Sequence, residues 1–360
     1  MNGPAGPAEP PLSAVTTLRV GGPAESVVVA ESQADLVDAI ASADAGGQPF
    51  TILGGGSNVV VSDAGLAGTL ILVRTRGIDV SLDDCSGAWV SVAAGEPWDD
   101  LVALAVAEQW SGIEALSGIP GLAGATPIQN VGAYGQEVAH TIARVTAYDR
   151  RTQRIEVLAA GDCGFGYRTS LFKATPGRYV VLSVEFQLLL GSQSAPIAYA
   201  ELAQRLGVDV GDRAPSADVR AAVLDLRRGK GMVLDPDDHD TWSVGSFFTN
   251  PVVAVKAVPE GAPCWPQADG SVGGAGNSGA GAAMVKTSAA WLVERAGFPR
   301  GYPQGGAARL STKHTLAITN RGHASASDVL ALARTIRDGV HNRFGIELTP
   351  EPVLLGCSLD

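Results

Sequence analysis

The chain has 360 residues, with 26 Lys+Arg against 37 Asp+Glu for a net charge of −11, and 46% of it is hydrophobic. That composition buries a sizeable core, which excludes disorder over most of the length, and the acidic balance argues against nucleic acid or an anionic membrane as partner. At about 150 residues per domain the length suggests two or three domains, and no apolar run nears the roughly 18 residues of a membrane helix.

Met1 to Pro11 is rich in Pro, Gly and Ala, carries no basic start, and reads as a frayed tail rather than a secretory signal. Val27–Ala30 reads as a strand, after which Ser32 caps a helix through Leu36, Val37 and Ile40 that Gly46-Gly47 ends. Strands follow at Phe50–Leu53, Val59–Val61, Thr69–Val73 and Trp89–Ala93, and Pro97 suits the first position of a helix through Leu101, Leu104 and Val106. Ser111 to Gly135 is a long, weakly periodic stretch, which inside a compact domain points to function. Further strands are expected at Val145–Tyr148, Arg154–Leu158 and Tyr179–Leu190, and a helix over Arg220–Arg228. Asp235 to Asp240 reads as a solvated loop without the Gly and terminal Glu of a calcium site, and Pro259 to Ala283 as a mobile surface loop. The last third reads as a βαβ-like unit: a strand at Thr315–Thr319, a helix capped by Ser327 and stopped by Gly345, and a strand at Val353–Leu355. Cys85, Cys163, Cys264 and Cys357 show no C-x-x-C spacing, which suits a reduced, cytoplasmic protein, and the five histidines have no metal-binding spacing.

The 45 glycines exceed the usual share of about 7%, and they concentrate where backbone must approach something closely. Gly54, Gly55, Gly56, Ser57 and Asn58 form a loop that can aim N–H groups at a pyrophosphate, or serve as a hairpin turn. It is neither a P-loop nor a Rossmann fingerprint, because a strand follows where a helix should. Between Ser117 and Gly135, small residues allow backbone to lie flat on a planar ring such as a flavin. Arg168, after Tyr167, can clamp a carboxylate or phosphate, or form a surface salt bridge. Ser246 precedes two aromatics without a G-x-S-x-G elbow, and Glu351 is held rigidly between two prolines.

In this order the segments resemble the flavin-dependent UDP-N-acetylenolpyruvoylglucosamine reductases of bacterial peptidoglycan synthesis. The matching pieces are Thr17 to Gly22, Leu53 to Asn58, Gly118 to Gly135, Gly166-Tyr167-Arg168, Gly245 to Pro251, Ser288 to Phe298 and Pro350-Glu351-Pro352. They span nearly the whole chain. The resemblance implies an α+β fold: a two-lobed FAD-binding domain of the vanillyl-alcohol-oxidase (PCMH) type, followed by a third, α+β substrate-binding domain. The corresponding limits are residues 1–78 after a tail at 1–11, then 79–229, then 230–360, with the last strand a candidate to return to the first lobe.

It further implies noncovalent FAD, NADPH as hydride donor, UDP-N-acetylglucosamine enolpyruvate as substrate, a monomer, and roles in cell wall biogenesis, cell shape, cell division and the cell cycle. Gly54 to Asn58 would hold the pyrophosphate of FAD. Gly118, Ile119, Pro120, Gly121, Gly124, Ala125, Thr126, Gln129, Asn130, Gly132, Ala133 and Tyr134 would line the flavin. Hydride from flavin N5 would go to C3 of the enolpyruvyl group, and Ser246 would give the proton to C2. Arg168 would bond the substrate carboxylate, and Glu351 beside it would be kept protonated by burial and like charge. Tyr167, Lys230, Asn250, Lys286 and His314 correspond to substrate contacts, and Tyr199 to the tyrosine of the subclass whose extra loop covers the substrate. Two features depart from the family: Thr169 replaces a common acidic residue, and Pro259 to Ala283 matches no motif. Two rivals remain: another FAD oxidase or dehydrogenase of this fold class, which would use oxygen and not need Ser246, Arg168 and Glu351 together, and a non-catalytic flavin-binding regulator, which would not need to retain them.

Overall fold

The computed structural model describes residues 11–266 and 283–360. The expected frayed tail up to residue 10 and residues 267–282 of the expected mobile loop 259–283 lie outside the described residues, while Cys264–Pro266 of that loop is a paired strand. The chain divides into two compact units, one built from 24–56 and 66–234, the other from 11–23, 57–65 and 235–360. Among the described residues no helix is long and apolar enough to cross a membrane.

The first unit begins with β1 (Ala24–Ala30), α1 (Gln33–Gly46) and β2 (Phe50–Leu53); β3 (Val59–Val61) belongs to the second unit, and β4 (Leu66–Val73) returns to the first. The order β1-β4-β2 is parallel throughout. Ser32 caps α1 reciprocally with Asp35, and Gly47 ends it in the left-handed region at φ 61°. Leu36 and Ile40, both fully buried, pack with Ile71 and Val73 of β4.

An antiparallel sheet follows, made of β5 (Ile78–Asp83), β6 (Gly87–Ala93), β7 (Trp110–Ser111), β10 (Ile142–Asp149), β11 (Arg154–Ala159) and β12 (Tyr179–Leu190). Its order is β11-β10-β12-β6-β5, with β7 on the end of β12. The hairpin of β8 (Gly132–Ala133) and β9 (Gln136–Glu137) interrupts it. α2 (Trp98–Ala107) starts one residue later than the sequence suggests. Pro97 is extended at ψ 129° and acts as the cap, because its carbonyl already accepts the Leu101 N–H. Trp98 is fully buried, lies 5.7 Å from Phe186, and donates its indole N–H to Leu116 O. α3 (Leu171–Ala174) is one turn, and α4 (Ala200–Leu206) packs on α5 (Ser216–Gly229), which extends well past the expected Arg220–Arg228.

In the second unit β13 (Val252–Ala254), β14 (Cys264–Pro266) and β15 (Met284–Thr287) form a sheet in the order β13-β15-β14. α6 (Ala289–Arg295), β16 (Ala308–Leu310), β17 (Ile318–Asn320), α7 (Ala326–Phe344) and β18 (Val353–Leu355) complete it. Three expectations for this region need correction. The strand starts at Ile318, not Thr315, because a turn closed by Ala317 N–H on His314 O occupies its first half. β17 pairs antiparallel with β16 while β18 pairs parallel with β3, so the two strands flanking α7 are not one βαβ unit. Ser325, not Ser327, caps α7, since Asp328 at the third helical position closes a capping box with it.

Ser327 has another task. Its N–H and hydroxyl, with the Ala326 N–H, all donate to the Asp63 carboxylate at 2.6–2.9 Å. The run 235–240 is likewise not simply solvated: Asp240 is 5% exposed, accepts from Thr312 N–H and pairs with Arg321. Partial burial pushes the Asp63 carboxyl up, but the three donors outweigh it and hold the group below its usual range. Asp63→Ala is expected to cost about 1 kcal/mol in urea unfolding, the loss of a charged helix cap. A lowered carboxyl contributes fully above about pH 4 and loses its contribution as pH falls through the folded value. The gap between the parent and Asp63→Asn should therefore close in acid.

Candidate active site

In the first unit, the glycine loop and the stretch after α2 meet backbone to backbone. A Cβ on Gly55 would fall 2.7 Å from Gly121 Cα, and one on Gly124 would fall 2.4 Å from Ala94 Cβ. Arg74, whose pKa is lowered by burial and then by Arg76, donates to Gly54 O at 3.1 Å and so fixes the loop from behind. Part of the glycine density thus has a packing reason that composition did not disclose. Ile119, Pro120 and Gly121 are half-buried, Gly124 is buried and Ala125 exposed. Gln129 is half-buried, and the Thr126 hydroxyl donates to Ala123 O.

Three residues here other than glycine take positive φ: Asn130 (46°), Tyr134 (50°) and Arg168 (54°). Such conformations persist only where the surroundings enforce them. Asn130 Nδ2 donates to Glu137 Oε2 and to Gly166 O, and its Oδ1 accepts from Ala139 N–H. The Arg168 guanidinium donates to Gly132 O at 2.7 Å and Asn130 O at 3.3 Å, with Tyr167 beside it. The arginine is thus tied to the 130–132 backbone. Gly132 is required mainly by its own hairpin, since a Cβ there would lie 2.8 Å from Gln136 O and 3.3 Å from Arg168 Nη1. Ala133 pairs with Gln136 in the same hairpin.

Tyr134, Tyr199 and Lys230 also come together. The two tyrosine rings meet edge-on at 5.5 Å, and Lys230 Nζ stands 5.7 Å from the Tyr134 ring. Burial raises the Tyr134 pKa, with Lys230 and Arg227 pulling the other way. The neck of the segment carrying Tyr199 is anchored by Glu114, which is fully buried and accepts from Gly112 N–H, Gln136 Nε2 and Ala195 N–H.

Sequence reasoning missed Arg227, on the inner face of α5. Burial lowers its pKa to about 10, its Nη2 donates to Met232 O, and its Nε is buried without a hydrogen-bond partner among the described residues. That Nε lies 3.4 Å from where a Gly118 Cβ would sit, so an unsatisfied cation faces the proposed flavin-lining stretch. A large cofactor rich in acceptors and anionic groups fits such a place. Arg227 and Arg228 both fall in the expected helix Arg220–Arg228, and only the rotation of α5 separates the two.

In the second unit, Ser57 and Asn58 lead into β3, and Asn58 Nδ2 donates to Glu351 O at 3.4 Å while its carbonyl accepts the Val353 N–H. Ser246 follows Gly245, whose φ of 75° turns the chain. The next residue, Phe247, accepts the Glu351 N–H at 2.9 Å, and Phe248 bridges Pro350. Ser246 and Glu351, 105 positions apart by number (351 − 246), thus lie on neighbouring segments joined by main-chain hydrogen bonds and one isolated β-bridge. His314 Nδ1 accepts the Leu316 N–H, and Leu316 O accepts the Phe247 N–H. Asn250 Oδ1 accepts the Ala289 N–H at the start of α6, and Lys286 sits opposite Val252 in the sheet.

The comparisons with known proteins match this division of labour. Residues 24–157 match the profile described as FAD binding domain. Residues 235–355 match that of the UDP-N-acetylenolpyruvoylglucosamine reductase C-terminal domain. The curated UDP-N-acetylenolpyruvoylglucosamine reductase of Cutibacterium acnes is 52% identical over 97% of this chain and 90% of its own length. That of Salinispora arenicola is 54% identical over 98% and 96%. The chain belongs to the UDP-N-acetylenolpyruvoylglucosamine reductase family. The solved reductase of Thermus caldophilus is similar at 25% identity and a TM-score of 0.62, covering 96% of this chain and 97% of its own. The family, the α+β class and the FAD-binding domain read from the motifs are borne out.

Gly124→Ala is expected to lower stability by about 1–3 kcal/mol through overpacking against Ala94, read by thermal unfolding. Gly54→Ala, whose Cβ meets nothing closer than Leu122 Cδ1 at 3.5 Å, should be markedly milder.

Proposed function

We propose that this protein uses NADPH and FAD to reduce the enolpyruvyl group of UDP-N-acetylglucosamine enolpyruvate to UDP-N-acetylmuramate, in the cytoplasm and as a monomer, for peptidoglycan precursor synthesis. The observation that carries this reading is the full-length kinship to reductases of that name, joined to the pairing of the Ser246 and Glu351 segments. FAD, when bound, would supply the redox chemistry, with NADPH as the hydride source for reduction at C3 of the substrate. Gly54, Gly55, Gly56, Ser57 and Asn58 hold its pyrophosphate, the stretch from Gly118 to Tyr134 lines its ring, and Arg227 is added to this set by its unsatisfied Nε.

The chain's own residues manage charge and protons. Negative charge that develops at C2 spreads into the substrate carboxylate, where the Arg168 guanidinium stabilises it as it forms. The backbone bonds that fix Arg168 to residues 130 and 132 preorganise it, so little rearrangement is needed at that moment. Ser246 Oγ donates its proton to C2. Glu351, whose N–H bonds the carbonyl of Phe247 next to Ser246, would act on the same carboxylate. Tyr167, Tyr199, Lys230, Asn250, Lys286 and His314 hold the rest of the sugar nucleotide.

The test is anaerobic. The FAD-loaded protein, reduced with one equivalent of NADPH, should regain its oxidised flavin spectrum when the enolpyruvyl substrate is added, with the lactyl ether as product. A flavin that stays reduced until air is admitted would favour an oxidase of the same fold class. Ser246→Ala should leave reduction by NADPH intact and slow reoxidation by about 10²–10⁴-fold, the usual worth of a positioned proton donor. Arg227→Met should weaken FAD retention by about tenfold or more, measured as the dissociation constant of the apoprotein for FAD.

A further inference from the structure

Lys230 already has an anion supplied by the protein. Its Nζ lies 2.5 Å from Glu201 Oε2, and the two side chains are 34% and 40% exposed. Glu201 stands in the first turn of α4, two residues after Tyr199, the N-cap residue of that helix. Gly135 presses on Ala198, its Cβ position only 2.6 Å from that of the alanine, so this end of α4 is held against the 134–135 turn. Tyr199, Glu201, Tyr134 and Lys230 are therefore one cluster, in which one short helix presents both an aromatic ring and a carboxylate to the same ammonium.

We propose that Glu201 is a positioning residue that sets affinity for the substrate diphosphate, holding Lys230 with a carboxylate that the substrate must displace. The proposal rests on Lys230 being a substrate contact. An ammonium on a flexible stem exchanges partners readily, because it is a point charge without a fixed fork. A partly exposed ion pair is weak, and a diphosphate brings more negative charge than a single carboxylate, so the exchange runs toward the substrate. Anions of lower charge meet a lysine that is already neutralised.

The decisive experiment measures the dissociation constant of UDP-N-acetylglucosamine enolpyruvate for the FAD-loaded protein over a range of salt concentrations. It uses the parent, Glu201→Gln, Lys230→Met and the double variant. Glu201→Gln should bind about two- to five-fold more tightly, the range of an exposed ion pair. Its affinity should also fall more steeply with salt, because the site gains one net positive charge. In the Lys230→Met background the same change should tighten nothing. Unchanged or weaker binding in Glu201→Gln would overturn the proposal, as Glu201 would then be inert or would merely orient the lysine. Equal tightening with and without Lys230 would also overturn it, leaving simple repulsion of the ligand by Glu201. If Lys230→Met bound substrate as well as the parent, the assignment of Lys230 would fall and the proposal with it. The Glu201→Gln outcome alone removes only the latter.

Discussion

Two stretches of main chain in the first unit approach so closely that no side chain fits between them. Gly55 faces Gly121, and Gly124 faces the Ala94 side chain and backbone. This contact between the strand end after β2 and the coil after α2 ties the parallel sheet to the antiparallel one, and both proposed FAD-binding segments belong to it. A close approach of this kind needs every nearby polar group satisfied elsewhere. Arg74 behind Gly54, Asp99 on the Gly118 N–H, and the Ala94 and Glu96 carbonyls on Gly124 and Ala123 do so for the backbone, and Arg227 Nε beside Gly118 is the exception among the described residues.

The same economy recurs where Arg168 is held. Asn130 spends its whole amide on two segments, 137–139 and Gly166, and the arginine then bonds to the backbone that Asn130 has fixed. Backbone strain at three neighbouring non-glycine residues is the sign of how firmly this arrangement is imposed. A cationic group intended for a developing charge gains from such rigidity, because it need not be reoriented when the charge appears. The second unit sets the Ser246 and Glu351 segments side by side through main-chain bonds and one isolated β-bridge.

Much of this was legible in sequence, and the limits are physical. Strands rich in Val and Ile, the Ser32 cap and the Gly345 stop follow from local chemistry, so β1, α1 and the end of α7 fell where periodicity put them. Pro97 and Ser327 were placed wrongly by one and two positions, since a cap is decided by which carbonyl or side chain takes the first bond. The motif residues could be found because the family pattern is long and ordered. Arg227 could not: its neighbour Arg228 has the same chemistry, and only packing buries one and leaves the other to solvent. Nor does any local pattern reveal that Asp240 is buried, because its partners Thr312 and Arg321 lie more than 70 positions away.

The second unit is assembled from three separate pieces of chain, and its bonds join the extremes of the sequence. Asn320 donates to Leu18 O across 302 positions, and β18 lies parallel to β3, with Asn58 and Glu351 joined across 293. On a ribosome that geometry sets an order of events. The residues of the first unit are all made before residue 235, whereas 11–23 and 57–65 must wait for the last strand to be released. Pairings between such distant segments form slowly, and an unpaired β3 is an open edge while it waits. The short length of that strand, three residues, keeps the exposed edge small during the interval.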